Sequence, residues 1–435
     1  MPVIDTLQVN YEEHTVGWLH RSFNTNLMSF TYDKTWFNNN FSQISFSLPV
    51  RQNSFDPYVT DNFFGNLIPD SNLLNIIALN KKLSSTNIFS FLKNFGHEVA
   101  GALKIFPISQ NIPKFSKSYK DVTDLVIKAI KNKDPMQNNL IIQTKAKLSL
   151  AGAQNKLAVL LKGDKILIPD IDSDAPTSHI IKPPSLYIKN IHFNEAFFMD
   201  LAKTIGLHVP YTNILFLDKV PIFIIERYDR KYNQNNKLTR IHQEDFCQAL
   251  NFNKIFKYEA DGGPSFRNCS YFLLTKLKFT SEELDAFIKI SIFNYIIGNC
   301  DAHAKNFSIV YDFNLINPLN YRNYQLSPFY DLLSTTFYKY FSTELAMFIG
   351  STKKHGLLSI KSLLHLINDF YITPQHFIDI FEILYADIIS NISNIINKHI
   401  ELYGNKQMYQ TFNNIVSTNC RILSKQINIL KGKIR

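Results

Sequence analysis

Asp301 and Asn306 stand five residues apart in NYIIGNCDAHAKNFS, residues 294–308. That is the spacing at which a phosphoryl-transfer loop of the protein-kinase kind sets its two working groups. The aspartate takes the proton of the attacking hydroxyl, and the asparagine holds a magnesium ion. The same pair also arises by chance in ordinary loops, so the remaining parts of such a site must be found beside it.

Phosphoryl transfer needs backbone amides around phosphate, a cation on the phosphate oxygens, a carboxylate for the hydroxyl and oxygen ligands for Mg²⁺. A candidate exists for each. In SLAGAQNK, residues 149–156, Gly152 and Ala153 let a backbone approach phosphate closely, and Gln154, Asn155 and Lys156 add donors. An ordinary strand bend reads the same way, and no GxxxxGK[ST] motif occurs. Lys182 ends the apolar run HIIK, which suits a cation at the mouth of a cleft and equally a snorkelling strand-end lysine. IIERYD sets Glu226 and Tyr228 after a strand, where a hinge would bond adenine through its backbone and cover it with a side chain. The alternative there is a strand end with exposed charges. Asp301 is the candidate proton acceptor, ionised and hydrogen-bonded to the substrate hydroxyl. Asn306 and Asp331 are the candidate Mg²⁺ ligands. Asp331, in SPFYDLLS, could also cap a helix over LLSTTF.

The elements that must position these residues follow from apolar periodicity. Leu284, Ile288, Ile292 and Ile296 recur every four residues and predict a helix face leading into the loop. Thr280 and Glu283 have capping-box spacing at its start, and Gly298 suits its end. FSIV and YQLSPFYD predict strands on either side of the turn-rich NLINPLNYRN. Upstream come a helix, TDLVIKAI, and a hairpin turning at Gly163 and Asp164. The strand HIIK, a helix closed by Gly206 and Pro210, and two strands turning near Asp218 follow. That order is the order of a small kinase lobe. VGWLHRS, LMSFTYD and ISFSLPV alternate apolar with polar and predict a β-rich start, joined by the helix SSTNIFSFLKNFG and the strand GALKIFPI. The polar QNIPKFSKSYKD reads as a linker, and the chain beyond about residue 240 reads as mainly helical.

Composition bounds the rest. The 435 residues are 45% hydrophobic and 19% charged, a folding composition with room for two or three domains. No apolar run reaches the ~18 residues of a membrane span, and the N-terminus has no secretory pattern, so a cytoplasmic protein is expected. The four cysteines are scattered without CxxC spacing and read as reduced thiols; Cys300 adjoins Asp301 but has no base signature. The net charge of +10 favours anionic partners, and an AT-rich genome supplying lysine accounts for it as well. No dense basic run or DNA-binding motif stands out.

Taken together, SLAGAQNKLAVL, SHIIKPP, ERYDR, HQEDFCQAL, KYEADGGPS, IGNCDAHAKNFS and LSPFYDLLS resemble the HipA-type serine/threonine kinases, the toxin halves of bacterial HipBA toxin–antitoxin modules. FFGNLIPD and GHEVAGALKIFP resemble the N-terminal domain of that family. The resemblance runs from about residue 10 to 340. It implies an α+β fold with an N-terminal domain over 1–110 and a divergent kinase core. Its small ATP-binding lobe would be 120–230, and its large helical lobe, with the catalytic and Mg²⁺ sites, 231–435. It implies ATP and Mg²⁺ as cofactors and a protein serine as substrate, possibly on an aminoacyl-tRNA synthetase. By motif, Asp301 is the catalytic base, Asn306 and Asp331 hold Mg²⁺, and Lys182 contacts ATP phosphates. Gly152, Ala153, Gln154 and Lys156 form the phosphate loop, and Glu226 and Tyr228 lie in the adenine hinge. His303 belongs to the nucleotide site, its role open between substrate contact and structural support. Ser149 matches the autophosphorylated serine, whose added charge would repel ATP and silence the enzyme. The implied partner is a HipB-like helix-turn-helix antitoxin, with operator DNA reached only through that complex. The segment 183–191 is shorter than in some relatives, where it resembles an activation loop. A different class of reading is an ATP-binding pseudokinase that serves as a corepressor scaffold.

Overall fold

The computed structural model describes residues 4–22, 24–68, 87–108, 118–131, 156–170, 173, 175–317 and 323–434. Helices and antiparallel sheets both contribute, so the fold is α+β. Contacts divide the chain into two units, each assembled from separated segments. One comprises Met1–His192, Asn213–Lys254 and Ser308–Ser327; the other comprises Phe193–Thr212, Ile255–Phe307 and Pro328–Arg435.

The first unit begins with β1 (Ile4–Tyr11), β2 (His14–Ser22), β3 (Met28–Tyr32) and β4 (Leu103–Pro107), in the order β3-β2-β1-β4. Alternation sends Leu7, Val9, Leu19 and Phe30 into the core, and the register shift opposite Val9 and Asn10 buries Val16 as well. The segment ISFSLPV departs from the expected strand and keeps only an isolated bridge between Ser45 and Leu48. Side chains take the place of a neighbouring strand. The Ile44 amide donates to the Tyr32 hydroxyl at 3.1 Å, that hydroxyl donates to the Leu48 carbonyl at 2.6 Å, and the Phe46 amide donates to Glu244 at 3.1 Å.

The second sheet holds β5 (Tyr119–Asp121), β6 (Leu157–Lys162), β7 (Lys165–Pro169), β8 (His179–Lys182), β9 (Thr212–Leu217) and β10 (Val220–Glu226), ordered β5-β7-β6-β8-β10-β9. Both expected hairpin turns are present. Lys162 faces Lys165 across Gly163 and Asp164, with Gly163 at φ 60°. Asp218 and Lys219 both take positive φ, 46° and 65°, the backbone that matches the twist of the paired strands. A single apolar core runs from Leu7 and Phe30 through Val126, Leu157 and Ile181 to Ile224. The unit closes with the pair β11 (Arg230–Tyr232) and β12 (Leu238–Arg240), and with a sheet of β13 (Gln243–Asp245), β14 (Ser308–Tyr311) and β15 (Tyr324–Leu326).

A buried ionic cluster fastens this unit internally. Glu98 accepts from Arg227 and Arg230, each at 2.8 Å, and is also bonded by Arg240. Asp229 accepts from Arg227 at 2.8 Å, from Arg230 at 2.9 Å and from the Gly101 amide at 2.8 Å. Burial alone would raise the Glu98 carboxyl, but the guanidiniums of Arg240, Arg230 and Arg227 outweigh it and hold it at about 2.

The second unit is mainly helical: Phe266–Thr275, Ser281–Ile297, Ile360–Asp369, Pro374–Tyr403 and Lys406–Ile434, with most of Ile191–Thr204. It also holds the hairpin β16 (Glu344–Ile349) and β17 (Thr352–Lys354). The Ser281–Ile297 helix starts on the expected capping box. The Thr280 amide donates to Glu283 at 2.7 Å, and the Glu283 amide donates to Thr280 Oγ1 at 3.3 Å. Its last eight residues, Ile290 through Ile297, are all buried, so this helix is central rather than amphipathic. It packs against Pro374–Tyr403 and Lys406–Ile434. Among the described residues, no helix is long and apolar enough to cross a membrane.

Candidate active site

Gly298 ends the central helix at φ 71° and starts the loop of Asp301 and Asn306. A Cβ at this position would lie 2.1 Å from Thr336 Oγ1, so the close approach requires glycine. The Gly298 carbonyl accepts from the Thr335 amide at 3.0 Å, the Thr335 hydroxyl at 3.0 Å and the Thr336 amide at 3.1 Å. The Thr335 hydroxyl oxygen in turn accepts from the Cys300 amide at 2.8 Å. The segment after Asp331 is thereby fastened to the start of the loop.

Those bonds also explain why no helix follows Asp331, contrary to the capping alternative. The Ser334 amide donates to Asn194 Oδ1 at 2.8 Å and its carbonyl accepts from Asn194 Nδ2 at 2.9 Å. With Ser334 and Thr335 bonded to other elements, their backbones are not available to a helical ladder. Asp331 itself sits at φ 55°, a left-handed conformation that aspartate tolerates better than most residues. The strand expected over YQLSPFYD is confined to Tyr324–Leu326.

Within the loop, the Asp301 carbonyl accepts from the His303 amide at 2.8 Å and from Asn306 Nδ2 at 3.0 Å. With its nitrogen committed there, Asn306 has its Oδ1 as the acceptor for a cation. Asn299 connects the two halves of the site. Its Nδ2 donates to the Asp331 carbonyl at 3.1 Å and to Asn294 Oδ1 at 2.9 Å, and its Oδ1 accepts from the Asp301 amide at 3.2 Å. The Tyr330 hydroxyl donates to the Lys305 carbonyl at 2.9 Å, so the residues preceding Asn306 and Asp331 are joined directly. Asn306 Oδ1 and the Asp331 carboxylate are a neutral and an anionic hard oxygen, the donor types that could hold Mg²⁺. Among the described residues there is no cluster of three His, Cys, Asp or Glu side chains, the set a structural zinc site would need.

The Asp301 carboxylate is exposed, and Tyr258 donates its hydroxyl to Oδ1 at 2.8 Å. His303 is buried, and its ring meets the Tyr258 ring edge-on at 5.3 Å. Cys300 is buried too. Burial and the neighbouring Asp301 charge push its thiol up to about 11 despite a hydrogen bond with Thr335, so it is a poor nucleophile at neutral pH.

In the first unit, Lys182 ends β8 opposite Phe223 of β10 and is only 6% exposed, which rules out the snorkelling alternative. Glu226 is exposed at the end of β10. Tyr228 is half-buried and donates to Gln243 Oε1 at 3.0 Å. Between and beyond them Arg227, Asp229 and Arg230 turn inward to the Glu98 cluster, so ERYDR is not a run of exposed charges. Lys156 is half-buried just before β6. Ser149, Gly152, Ala153 and Gln154 lie outside the described residues.

Asp301, His303, Asn306 and Asp331 thus come together in the second unit, while Lys156, Lys182, Glu226 and Tyr228 belong to the first. Tyr258, Asn299 and Thr335 were not singled out from the sequence. Only KYEADGGPS, as a motif without an assigned role, pointed toward Tyr258.

Comparison with known proteins adds to this geometry. Residues 148–392 match the profile of the HipA-like C-terminal domain, and residues 7–106 match that of the HipA N-terminal domain. The chain is 35% identical to Y4mE of Sinorhizobium fredii over 74% of this chain and 76% of that protein. It is 26% identical to the serine/threonine-protein kinase toxin HipA of Shewanella oneidensis, over 79% of this chain and 78% of that one. Its fold matches a chain of the Shewanella oneidensis MR-1 complex of HipA, HipB and its operator DNA. The TM-score there is 0.80 at 22% identity, with 97% of this chain and 99% of that chain covered. Through both its N-terminal and its C-terminal domain, the chain belongs to the HipA-like kinase toxin family.

Proposed function

We propose that the chain is an ATP- and Mg²⁺-dependent serine/threonine protein kinase and the toxin of a type II toxin–antitoxin module. The observation that carries this reading is the direct fastening of the Asp331 segment to the loop of Asp301 and Asn306, through Asn299 and through Tyr330. Asp301 orients the substrate hydroxyl and accepts its proton, the task its exposed carboxylate allows. Asn306 Oδ1 and the Asp331 carboxylate would hold Mg²⁺, which when bound neutralises charge on the phosphate oxygens. Lys182 binds ATP phosphates, with Gly152, Ala153, Gln154 and Lys156 as their loop, and Glu226 and Tyr228 line the adenine. His303, buried beside Tyr258, supports the loop of Asp301 and Asn306.

The substrate is a protein serine, and a translation protein such as an aminoacyl-tRNA synthetase fits growth arrest by a toxin of this family. Two devices silence it. Phosphorylation of Ser149 adds about −1.5 to −2 charge beside the phosphate loop and repels ATP. A HipB-like antitoxin binds the toxin and carries it to operator DNA. This partner is supported by the matched fold of a chain from the HipA–HipB–operator complex.

The test is labelling with Mg-ATP. Wild type should transfer phosphate to its own Ser149, and Asp301→Ala and Asp331→Gln should not. Phosphoproteomes after controlled expression of wild type and of Asp331→Gln should differ at a translation protein. Full labelling by Asp301→Ala would remove the assignment of the base. ATP binding without transfer would favour the corepressor scaffold.

A further inference from the structure

We infer that Tyr258 is the positioning residue of the catalytic carboxylate and that KYEADGGPS is the brace that delivers it, an inference that rests on the proposed role of Asp301. The motif is otherwise without a task.

Asp301 is exposed, and an unrestrained carboxylate there would present either oxygen to a substrate. The Tyr258 hydroxyl fixes Oδ1 at 2.8 Å, which leaves Oδ2 for the incoming hydroxyl. The ring carrying that hydroxyl is itself held, edge-on to His303 at 5.3 Å and under the Lys257 ammonium at 5.2 Å.

The loop behind the ring is closed by its own backbone. The Asp261 and Gly263 amides both donate to the Tyr258 carbonyl, at 3.1 and 3.0 Å, and the Gly262 amide donates to the Glu259 carbonyl at 3.0 Å. Gly262 adopts φ 88°, and a Cβ on Gly263 would stand 2.0 Å from the Phe256 carbonyl oxygen. The two glycines are therefore required for different reasons, one for its conformation and the other for space.

A common support sets the distance between donor and acceptor. The Ala346 amide of β16 donates to the carbonyl of Cys300, the neighbour of Asp301, at 2.9 Å. Two residues on, the Phe348 amide donates to the side chain of Glu259, the neighbour of Tyr258, at 2.6 Å. Amides at i and i+2 of a strand point to the same side, so one strand edge holds both partners in register.

The experiment uses the full chain and label transferred from γ-labelled ATP to the protein itself. Tyr258→Phe keeps the ring and deletes only the hydroxyl. Its kcat should fall about ten- to a hundredfold, the worth of a hydrogen bond to a charged group, while the KM for ATP and the melting temperature stay at wild-type values. In an Asp301→Ala background, Tyr258→Phe should cause no further loss of the residual rate, because it acts through Asp301. Glu259→Ala, which cuts the strand support but keeps the tyrosine, should lower kcat in the same way by a smaller factor. A wild-type kcat in Tyr258→Phe, or a loss shared equally with the KM for ATP, would overturn the inference and leave Asp301 in place. Full transfer by Asp301→Ala would instead remove the assignment of Asp301 as the base, and no transfer by wild type would remove the kinase reading; this inference falls with either.

Discussion

Asn299 donates its side-chain amide to the backbone carbonyl of Asp331 at 3.1 Å, and through its other side-chain atom accepts from the amide of Asp301 at 3.2 Å. One buried side chain thus sets the spacing between the proposed base and a proposed metal ligand. Replacing it with Ala removes three hydrogen bonds, two of them part-buried and the one to Asn294 buried, each worth about 1 kcal/mol. Asn299→Ala is expected to raise the Mg²⁺ concentration for half-maximal transfer by about tenfold and to lower stability by about 3 kcal/mol. Magnesium titration of labelling and urea unfolding check the two effects, and an unchanged Mg²⁺ response would mean that Asn299 is structural only.

Gly298 and Gly163 both have positive φ, 71° and 60°, but different surroundings. Around Gly163 an added Cβ meets nothing within 4 Å, whereas at Gly298 it meets Thr336 at 2.1 Å. Gly163→Ala should cost only the conformational penalty, about 1 kcal/mol. Gly298→Ala should cost about 3 kcal/mol or more, because Thr336 is bonded to the same glycine and cannot yield freely. Denaturant unfolding compares them, and labelling should be lost only in Gly298→Ala.

The parts of this site that were legible in the sequence are local ones. Thr280 with Glu283, Gly298 and the Asp301–Asn306 spacing each express a preference acting within a turn or two of backbone. The hairpin turns at Gly163 and Asp218 are of the same kind. What stayed hidden depends on partners far along the chain. Tyr258 reaches Asp301 across 43 residues, and Glu98 reaches Arg227 across 129. Composition marks ERYDR as charged but cannot say that three of its charges are buried. ISFSLPV shows the opposite failure: its alternation correctly sends Ile44 and Leu48 inward, yet Tyr32 and Glu244 provide the backbone partners that a strand would have supplied.

The Glu98 cluster predicts sensitivity to acid. The folded carboxyl is held at about 2, below its ordinary value of 4.5, so its contribution is fully present above pH ~4.5. It is lost as pH falls from there through about 2, since the unfolded chain binds the proton first. Glu98→Gln should be destabilised by about 3–5 kcal/mol at neutral pH, because the arginines keep their burial without their partner. It should also lose the part of the wild-type acid dependence that falls between those two pH values. Urea unfolding at a series of pH values measures both, and an acid limb identical to wild type would show that Glu98 is not its source.

Glu244 predicts a second dependence of opposite sign. It is fully buried, accepting from the Ser45 hydroxyl at 2.5 Å, the Tyr311 hydroxyl at 2.5 Å and the Phe46 amide at 3.1 Å. Burial dominates these bonds and pushes the carboxyl up to about 7. Between its ordinary value of 4.5 and about 7 the folded state holds a proton that the unfolded chain has released. Stability contributed by this group is therefore complete below pH ~4.5 and declines as pH rises through about 7, by about 3 kcal/mol in all. Glu244→Gln resembles the protonated acid: its oxygen can accept from Phe46 and Tyr311, and its amide can donate to Ser45. The variant should match wild type near pH 5, exceed it near pH 8 and show a flatter profile between. The same decline in the variant would assign that pH dependence to another group and leave Glu244 ionised in the fold.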